Sequence, residues 1–184
     1  MRNFHRLAVG LDIIPLMDAI QRHEGLWNQH TLRTTHPMTP HKQVDDIWIR
    51  FNDLDEFLRT GDASSVVDQH ESIWYEAANV LPVRPFVFDL MRRVEAERLG
   101  RVLITRLSPG GHIEPHVDSG DHAAYYDRYH FCLKGLPGSL FRCGNEEVQM
   151  QTGEVWWFQN SVEHEVLNNS TDDRIHMIVD LKIR

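Results

Sequence analysis

The spacing of apolar and polar positions changes character near residue 100, and each half predicts different elements. Phe4–Gly10 is a short apolar run suited to an edge strand. Asp12 reads as the N-cap of a helix in which Ile13, Ile14, Leu16, Met17 and Ile20 share a face as far as His23, with Gly25 ending it. Thr31–Lys42, rich in Thr, His and Pro, reads as a loop. Val44–Phe51 alternates through Ile47, Ile49 and Phe51, a strand signature. Asp53–Leu58 suggests a short helix, Gly61–Ser65 a loop, and Ser72 the cap of a turn carrying Trp74 and Tyr75. The strongest helical pattern is Phe86–Leu99, where Phe86, Leu90, Val94 and Leu99 fall on one face and Gly100 follows as a stop.

From Arg101 onward the period is two. Strands are predicted at Val102–Ile104, His112–His116, Tyr126–Leu133, Leu140–Cys143, Val148–Gln151, Val155–Phe158, His164–Leu167 and Arg174–Ile183, punctuated by Gly, Pro and Asn turns. Short strands with turns every 8–12 residues or about that indicate a β-sandwich or barrel, with the N-terminal helices covering one face. One domain is expected over 1–184, with 1–99 as a mixed, substrate-facing support and 100–184 as the β core.

Composition narrows the class. Hydrophobic residues are 41% and charged residues 25% of 184, which excludes disordered, coiled-coil and collagen-like chains. Apolar runs such as Met177–Val179 fall far short of the ~20 residues of a membrane span. No apolar h-region of signal-peptide type precedes Asp12, so a secretory leader is not expected. The two cysteines, Cys132 and Cys143, are then expected as free thiols of a cytoplasmic protein. A formal charge of −8 argues against a partner gripped through nucleic-acid phosphates.

Chemistry enters with His116-Val117-Asp118, whose first and third side chains point the same way on a strand. Alone, such a pair is as readily a strand-end hydrogen bond. His164, on a later strand, supplies the third member of a two-histidine, one-carboxylate facial set of the kind that holds non-haem Fe(II) with open positions. Arg174 heads an apolar strand ten residues beyond His164. At a surface it is an ordinary strand-end charge; inside a barrel it needs a planar anion. Arg128 and His130 repeat the alternate spacing on another strand. Together these six positions describe a pocket for a metal and a small dianion.

The stretch from Thr105 to Asp180, about 75 of 184 residues, resembles the aspartyl/asparaginyl β-hydroxylase family of 2-oxoglutarate-dependent oxygenases. The likeness rests on Pro109-Gly110, Pro115-His116, Arg128-Tyr129-His130 and Phe141-Arg142-Cys143-Gly144-Asn145-Glu146. It continues in Gly153-Glu154-Val155, Glu163-His164-Glu165-Val166 and Arg174 with Ile178-Val179-Asp180. The resemblance implies a mainly β fold with flanking helices, a double-stranded β-helix or cupin-like jelly roll. It further implies His116 and His164 as iron ligands and Arg174 on the distal carboxylate of 2-oxoglutarate, assisted by Thr105. Arg128 and His130 would hold its other carboxylate. Mammalian members have glycine where this chain has Asp118, so a three-ligand site is expected here. The implied reaction consumes 2-oxoglutarate and O2 over Fe(II), hydroxylates an amino acid or peptide residue, and yields succinate and CO2.

Substrate contacts are expected from the N-terminal half. Asp46, Trp48 and Arg50 alternate on one strand, where Asp46 or Arg50 would pair with an α-amine or α-carboxylate; the plain alternative is a solvated strand face. Trp27 and the His30–His36 loop are expected as a lid, Trp156, Trp157 and Phe158 as pocket wall or barrel core, and His112 as either a pocket or a surface residue. A metal-binding cupin without oxygenase activity, an isomerase or small-ligand sensor, would need the three ligands but not Arg174, Arg128 or Thr105. Oxidative demethylation of nucleic acid on the same fold is disfavoured by the charge.

Overall fold

Two long alternating segments, Val44–Phe51 and Arg174–Ile183, anchor one sheet of the computed structural model, which describes residues 1–66 and 68–184. The first half of the chain runs β1 (Phe4–Ala8), α1 (Ile14–Arg22), α2 (Leu32–Thr35), β2 (Val44–Phe51), α3 (Asp55–Thr60), β3 (Ile73–Trp74), α4 (Ala77–Val80) and α5 (Arg84–Arg93). The second continues with β4 (Ala96–Leu107), β5 (His112–His116), α6 (Asp121–Tyr125), β6 (Asp127–Lys134) and β7 (Ser139–Cys143). It ends with β8 (Glu146–Val148), β9 (Val155–Phe158), β10 (His164–Asn168) and β11 (Arg174–Ile183).

A seven-stranded antiparallel sheet, ordered β1-β9-β6-β11-β4-β2-β3, faces a four-stranded one ordered β5-β10-β7-β8. This is the double-stranded β-helix. Each face of the large sheet has its own apolar cluster, because successive side chains alternate. Outward, Ile104, Met177, Val179 and Leu181 pack with Leu16, Ile20, Val87 and Leu90 of the helices. Inward, Phe4, Leu107, Trp156 and Phe158 meet Phe141, Ile113 and Val166 of the small sheet. β1 forms an outer edge on β9, as the run Phe4–Gly10 predicts. Cys132 and Cys143 are buried free thiols.

Several boundaries differ from expectation. Asp12 does receive the Ile14 N–H, at 3.1 Å, but Ile13 occupies the cap position. The helix already ends at His23, so Gly25 lies in the following 3-10 turn. The expected 31–42 loop carries the single turn of α2, and Ile73–Trp74 is a strand rather than a capped turn.

The largest correction concerns Phe86–Leu99. The helix ends at Arg93, the backbone reverses through Glu95 at φ +53°, and Ala96 already starts β4. Leu99 and Arg98 pair with Leu181 and Lys182 of β11, so ladder formation overrides the helix propensity of this stretch. Gly100 is therefore no helix stop. It lies mid-strand against the ring of Tyr126, and a Cβ there would come within 2.9–3.0 Å of three ring atoms. The Tyr126 hydroxyl donates to the His70 carbonyl at 2.5 Å, so the ring cannot easily retreat. Gly100→Ala is expected to cost about 1–3 kcal/mol from overpacking, read as a lower urea midpoint at unchanged m-value.

Candidate metal centre and its cavity

An irregularity in the small sheet brings two histidines together. His164 opposes His116, and Val166 opposes Ile113, so β5 carries one residue more than β10 across the same span. The extra residue falls at Glu114-Pro115, where proline has no N–H to offer the ladder. As a result Ile113 and His116 both line the cavity, while His112 turns outward to Glu165 at 2.8 Å. Of the two positions expected for His112, the surface one is observed.

Each ring is fixed by its own backbone. His116 Nδ1 donates to the Glu114 carbonyl at 2.7 Å and His164 Nδ1 to the Val162 carbonyl at 2.9 Å. Both Nε2 lone pairs are thereby turned toward Asp118, whose Oδ1 lies 3.6 Å from His116 Nε2 and 3.9 Å from His164 Nε2. The three ligand atoms lie within 4.8 Å of one another, close enough for one ion to touch all three. Burial, opposed by the Asp118 charge, brings His164 down to about 4. At neutral pH it is the neutral imidazole that a metal requires. The donor set therefore fits a divalent transition metal, with backbone carbonyls orienting both rings.

Asp118 is held from behind. Its Oδ2 accepts from Arg128 Nη1 at 2.6 Å, and Arg128 Nε and Nη2 donate to Asp180 at 2.8 and 3.1 Å. His122 Nε2 donates to the same Asp180 carboxylate at 3.0 Å. Burial works against these charges, but Arg128 with its hydrogen bonds and His122 holds Asp180 well below the usual carboxylate range. Arg128 itself is pushed up by the two acids despite its desolvation. Arg128, expected on a co-substrate carboxylate, lines the cavity and serves here as a strut between two aspartates.

Arg174 is 3% exposed and lines the far end of the cavity. Its Nη2 donates to His176 Nδ1 at 3.1 Å, and the guanidinium lies 5.9 Å above the Phe141 ring. Among the described residues no carboxylate pairs with it, and burial lowers it to about 10. A buried guanidinium left in that state is costly unless an anion arrives. Thr105 and His130 share its chamber, Thr105 pairing with His176 across the ladder and His130 Nδ1 lying 3.3 Å from His176 Nδ1.

The three residues expected at the substrate are separated. Asp46 faces inward but is covered bidentately by Arg33 Nε and Nη2, at 2.8 and 2.9 Å. Trp48 is stacked between His30 and Phe51, at ring distances of 5.0 and 3.9 Å, away from the cavity lining. Arg50 lies beyond a register shift after Trp48, which sends it over Trp74 and puts Phe51 into the cavity instead. Within the expected lid, Arg33 lines the cavity; Trp27 instead packs under Arg106 at 4.4 Å. Of the aromatic run, Phe158 is a cavity wall, Trp156 is inner core, and Trp157 faces Asp127 and His5.

The cavity holds about 210 Å³ and is also lined by His41, Arg101 and His122. His41 sits edge-on to His116 at 5.2 Å, is held far below its ordinary value by burial first, and has a buried Nδ1 without a partner. Sequence reasoning missed these. His41 lies in a segment without periodicity, and Arg101 stood outside every motif. Asp180 was readable, because it shares strand parity with Arg174 and His176.

Residues 74–183 match the model of a family described as aspartyl/asparaginyl beta-hydroxylase. Among solved structures, a Pseudomonas putida prolyl-4-hydroxylase is similar in fold, with a TM-score of 0.60 at 15% identity over 100% of this chain and 94% of that one. An oxidoreductase of the 2OG-Fe(II) oxygenase family from Burkholderia pseudomallei gives 0.57 at 15% identity over 98% and 84%. No curated protein sequence matches the chain.

Removing Asp180 would leave Arg128 with one acid for two. Asp180→Ala is expected to destabilise the fold by about 3–5 kcal/mol, measured by denaturant titration. Because the folded pKa of Asp180 lies below its unfolded value, its stabilisation is present above the ordinary carboxylate range and is lost as pH falls through the folded value. The gap between wild type and Asp180→Ala should accordingly shrink at strongly acid pH.

Proposed function

The chain belongs to the aspartyl/asparaginyl β-hydroxylase family of 2-oxoglutarate-dependent oxygenases, and from that premise we propose that it hydroxylates an amino acid, free or within a peptide, with Fe(II), 2-oxoglutarate and O2. His116, Asp118 and His164 would hold the iron, and Arg174 with Thr105 would hold the far carboxylate of 2-oxoglutarate. The observation that carries this reading is the buried Arg174, unpaired among the described residues, in the same cavity as a three-ligand cluster. A metal-binding cupin without a dianionic co-substrate has no use for such a charge, so Arg174 weighs against the isomerase or sensor alternative.

When bound with 2-oxoglutarate, iron would supply the oxidising power to place one atom of O2 on the substrate carbon and the other in succinate, with release of CO2. The chain's own contribution is position. The Glu114 and Val162 carbonyls keep the Nδ1 protons in place, so both imidazoles present Nε2 inward. Arg128 fixes the Asp118 carboxylate through Oδ2 and leaves Oδ1 toward the histidines. Phe141, Phe158, Ile113 and Val166 exclude water around the centre. His130, neutral through burial, is available as a hydrogen-bonding wall for the co-substrate.

Anaerobic loading with Fe(II) should give about one ion per chain in wild type and less than a tenth of that in His116→Ala and His164→Ala, measured by metal analysis. Arg174→Gln should retain metal while weakening 2-oxoglutarate binding by about 100-fold in calorimetry, the scale of a lost buried charge pair. Succinate formation with candidate amino acids tests the reaction. Wild-type protein that loads iron and ignores 2-oxoglutarate would overturn the reading.

A further inference from the structure

Arg101 presents a second guanidinium to the cavity, at the end opposite Arg174. On β4, Val102 pairs with Val179, which sets Arg101 beside Asp180, whereas Arg174 stands opposite Leu107, six residues along the same strand. At strand rise this is about 20 Å. The metal cluster lies between the two ends. Arg174 rests over Phe141 at 5.9 Å, Phe141 is 6.0 Å from the His164 ring, and His164 reaches Asp118. Asp118 joins Arg128, which joins Asp180.

The Arg101 fork is braced rather than neutralised. Asn52 Oδ1 accepts from its Nε at 2.9 Å and its Nη2 at 2.6 Å, and the guanidinium lies 4.3 Å over the Phe51 ring. Asn52 is itself fixed, its Nδ2 donating to the carbonyls of Gln69 and Glu71 at 2.9 and 2.8 Å. Of the five N–H donors of an arginine, three therefore remain unused among the described residues. Among the described residues no carboxylate lies within salt-bridge distance of Arg101; Asp180 nearby is already held by Arg128 and His122. Burial lowers Arg101 to about 10, the same direction and cause as at Arg174. Arg33 and Arg128, the other guanidiniums of the cavity, are each paired with aspartate. Arg101, Arg33 and Phe51 also line a wider groove leading outward past Leu54 and Gln69, so Arg101 stands at the neck where the cavity opens.

We propose that Arg101 is the substrate anchor: the molecule hydroxylated here carries a carboxylate that docks on its free N–H donors, with the reacting carbon reaching inward toward the metal cluster. This deepens the proposed function and rests on it, in that Arg174 is left for 2-oxoglutarate. It moves the expected carboxylate contact from Arg50, which the register shift turns away, to a residue on the neighbouring strand.

The test uses metal-loaded full-length protein saturated with 2-oxoglutarate. The probes are the twenty L-amino acids, their α-carboxamides, and the N-acetyl amides of Asp, Glu, Asn and Gln, read by thermal shift and by calorimetry. A carboxylate member is expected to bind, its amide counterpart to bind at least 30-fold more weakly, and Arg101→Gln to erase the difference. Arg101→Lys should preserve part of it, since the charge survives without the fork. In both variants 2-oxoglutarate should bind within twofold of wild type, which also reports that they are folded. Equal binding of acid and amide, no acid in the panel that binds, or an Arg101→Gln protein that still prefers the acid would overturn the assignment. So would loss of 2-oxoglutarate binding in Arg101→Gln with retention in Arg174→Gln, which would exchange the two roles. Failure of wild type to bind 2-oxoglutarate at all would be recognised separately, as failure of the underlying reading.

Discussion

Two carboxylates, Asp118 and Asp180, share the guanidinium of Arg128 in the interior, where either one alone would carry a heavy desolvation cost. The arrangement joins what the sequence keeps apart: the loop after β5, the inner strand β6 and the end of β11. It also accounts for which way Asp118 faces. With Oδ2 occupied by Arg128, Oδ1 is left toward the two imidazoles, and the carboxylate becomes a single-oxygen donor of fixed direction. The backbone carbonyls behind His116 and His164 do the same for the rings. Geometry at the centre is thus set by atoms that would not themselves touch an ion.

Much of this was legible because alternation is a strong signal. Period two over 101–184 located β5, β9 and β11 to the residue and the remaining strands to within one or two, apart from β8, which falls ahead of the run assigned to it, and β4, whose start was hidden in the expected helix. His116, Asp118 and His164 could be grouped by residue type and spacing. What alternation cannot show is a place where it slips. The extra residue at Glu114-Pro115 reverses the facing of His112, and the shift after Trp48 exchanges Arg50 for Phe51. A single inserted residue in either strand moves a side chain to the opposite face, and nothing in local composition announces it.

Other residues were hidden for different reasons. His41 belongs to an aperiodic segment and reaches the cavity through a long-range contact with His116. The Ala96–Leu99 stretch has helical composition, and only its ladder with β11 makes it a strand. Gly100 looked like punctuation and is in fact a packing requirement under Tyr126. In each case the deciding partner lies far away in the chain.

Four guanidiniums, from Arg33, Arg101, Arg128 and Arg174, line one cavity of a chain whose formal charge is −8. The outer surface therefore repels anions at long range, while the opening attracts them once they approach. Such a field works over about one Debye length, some 8 Å in physiological salt. Added electrolyte would weaken both the repulsion and the attraction outside the mouth. The buried end of the cavity is beyond its reach, so capture and retention of a negatively charged guest should respond to ionic strength in different degrees.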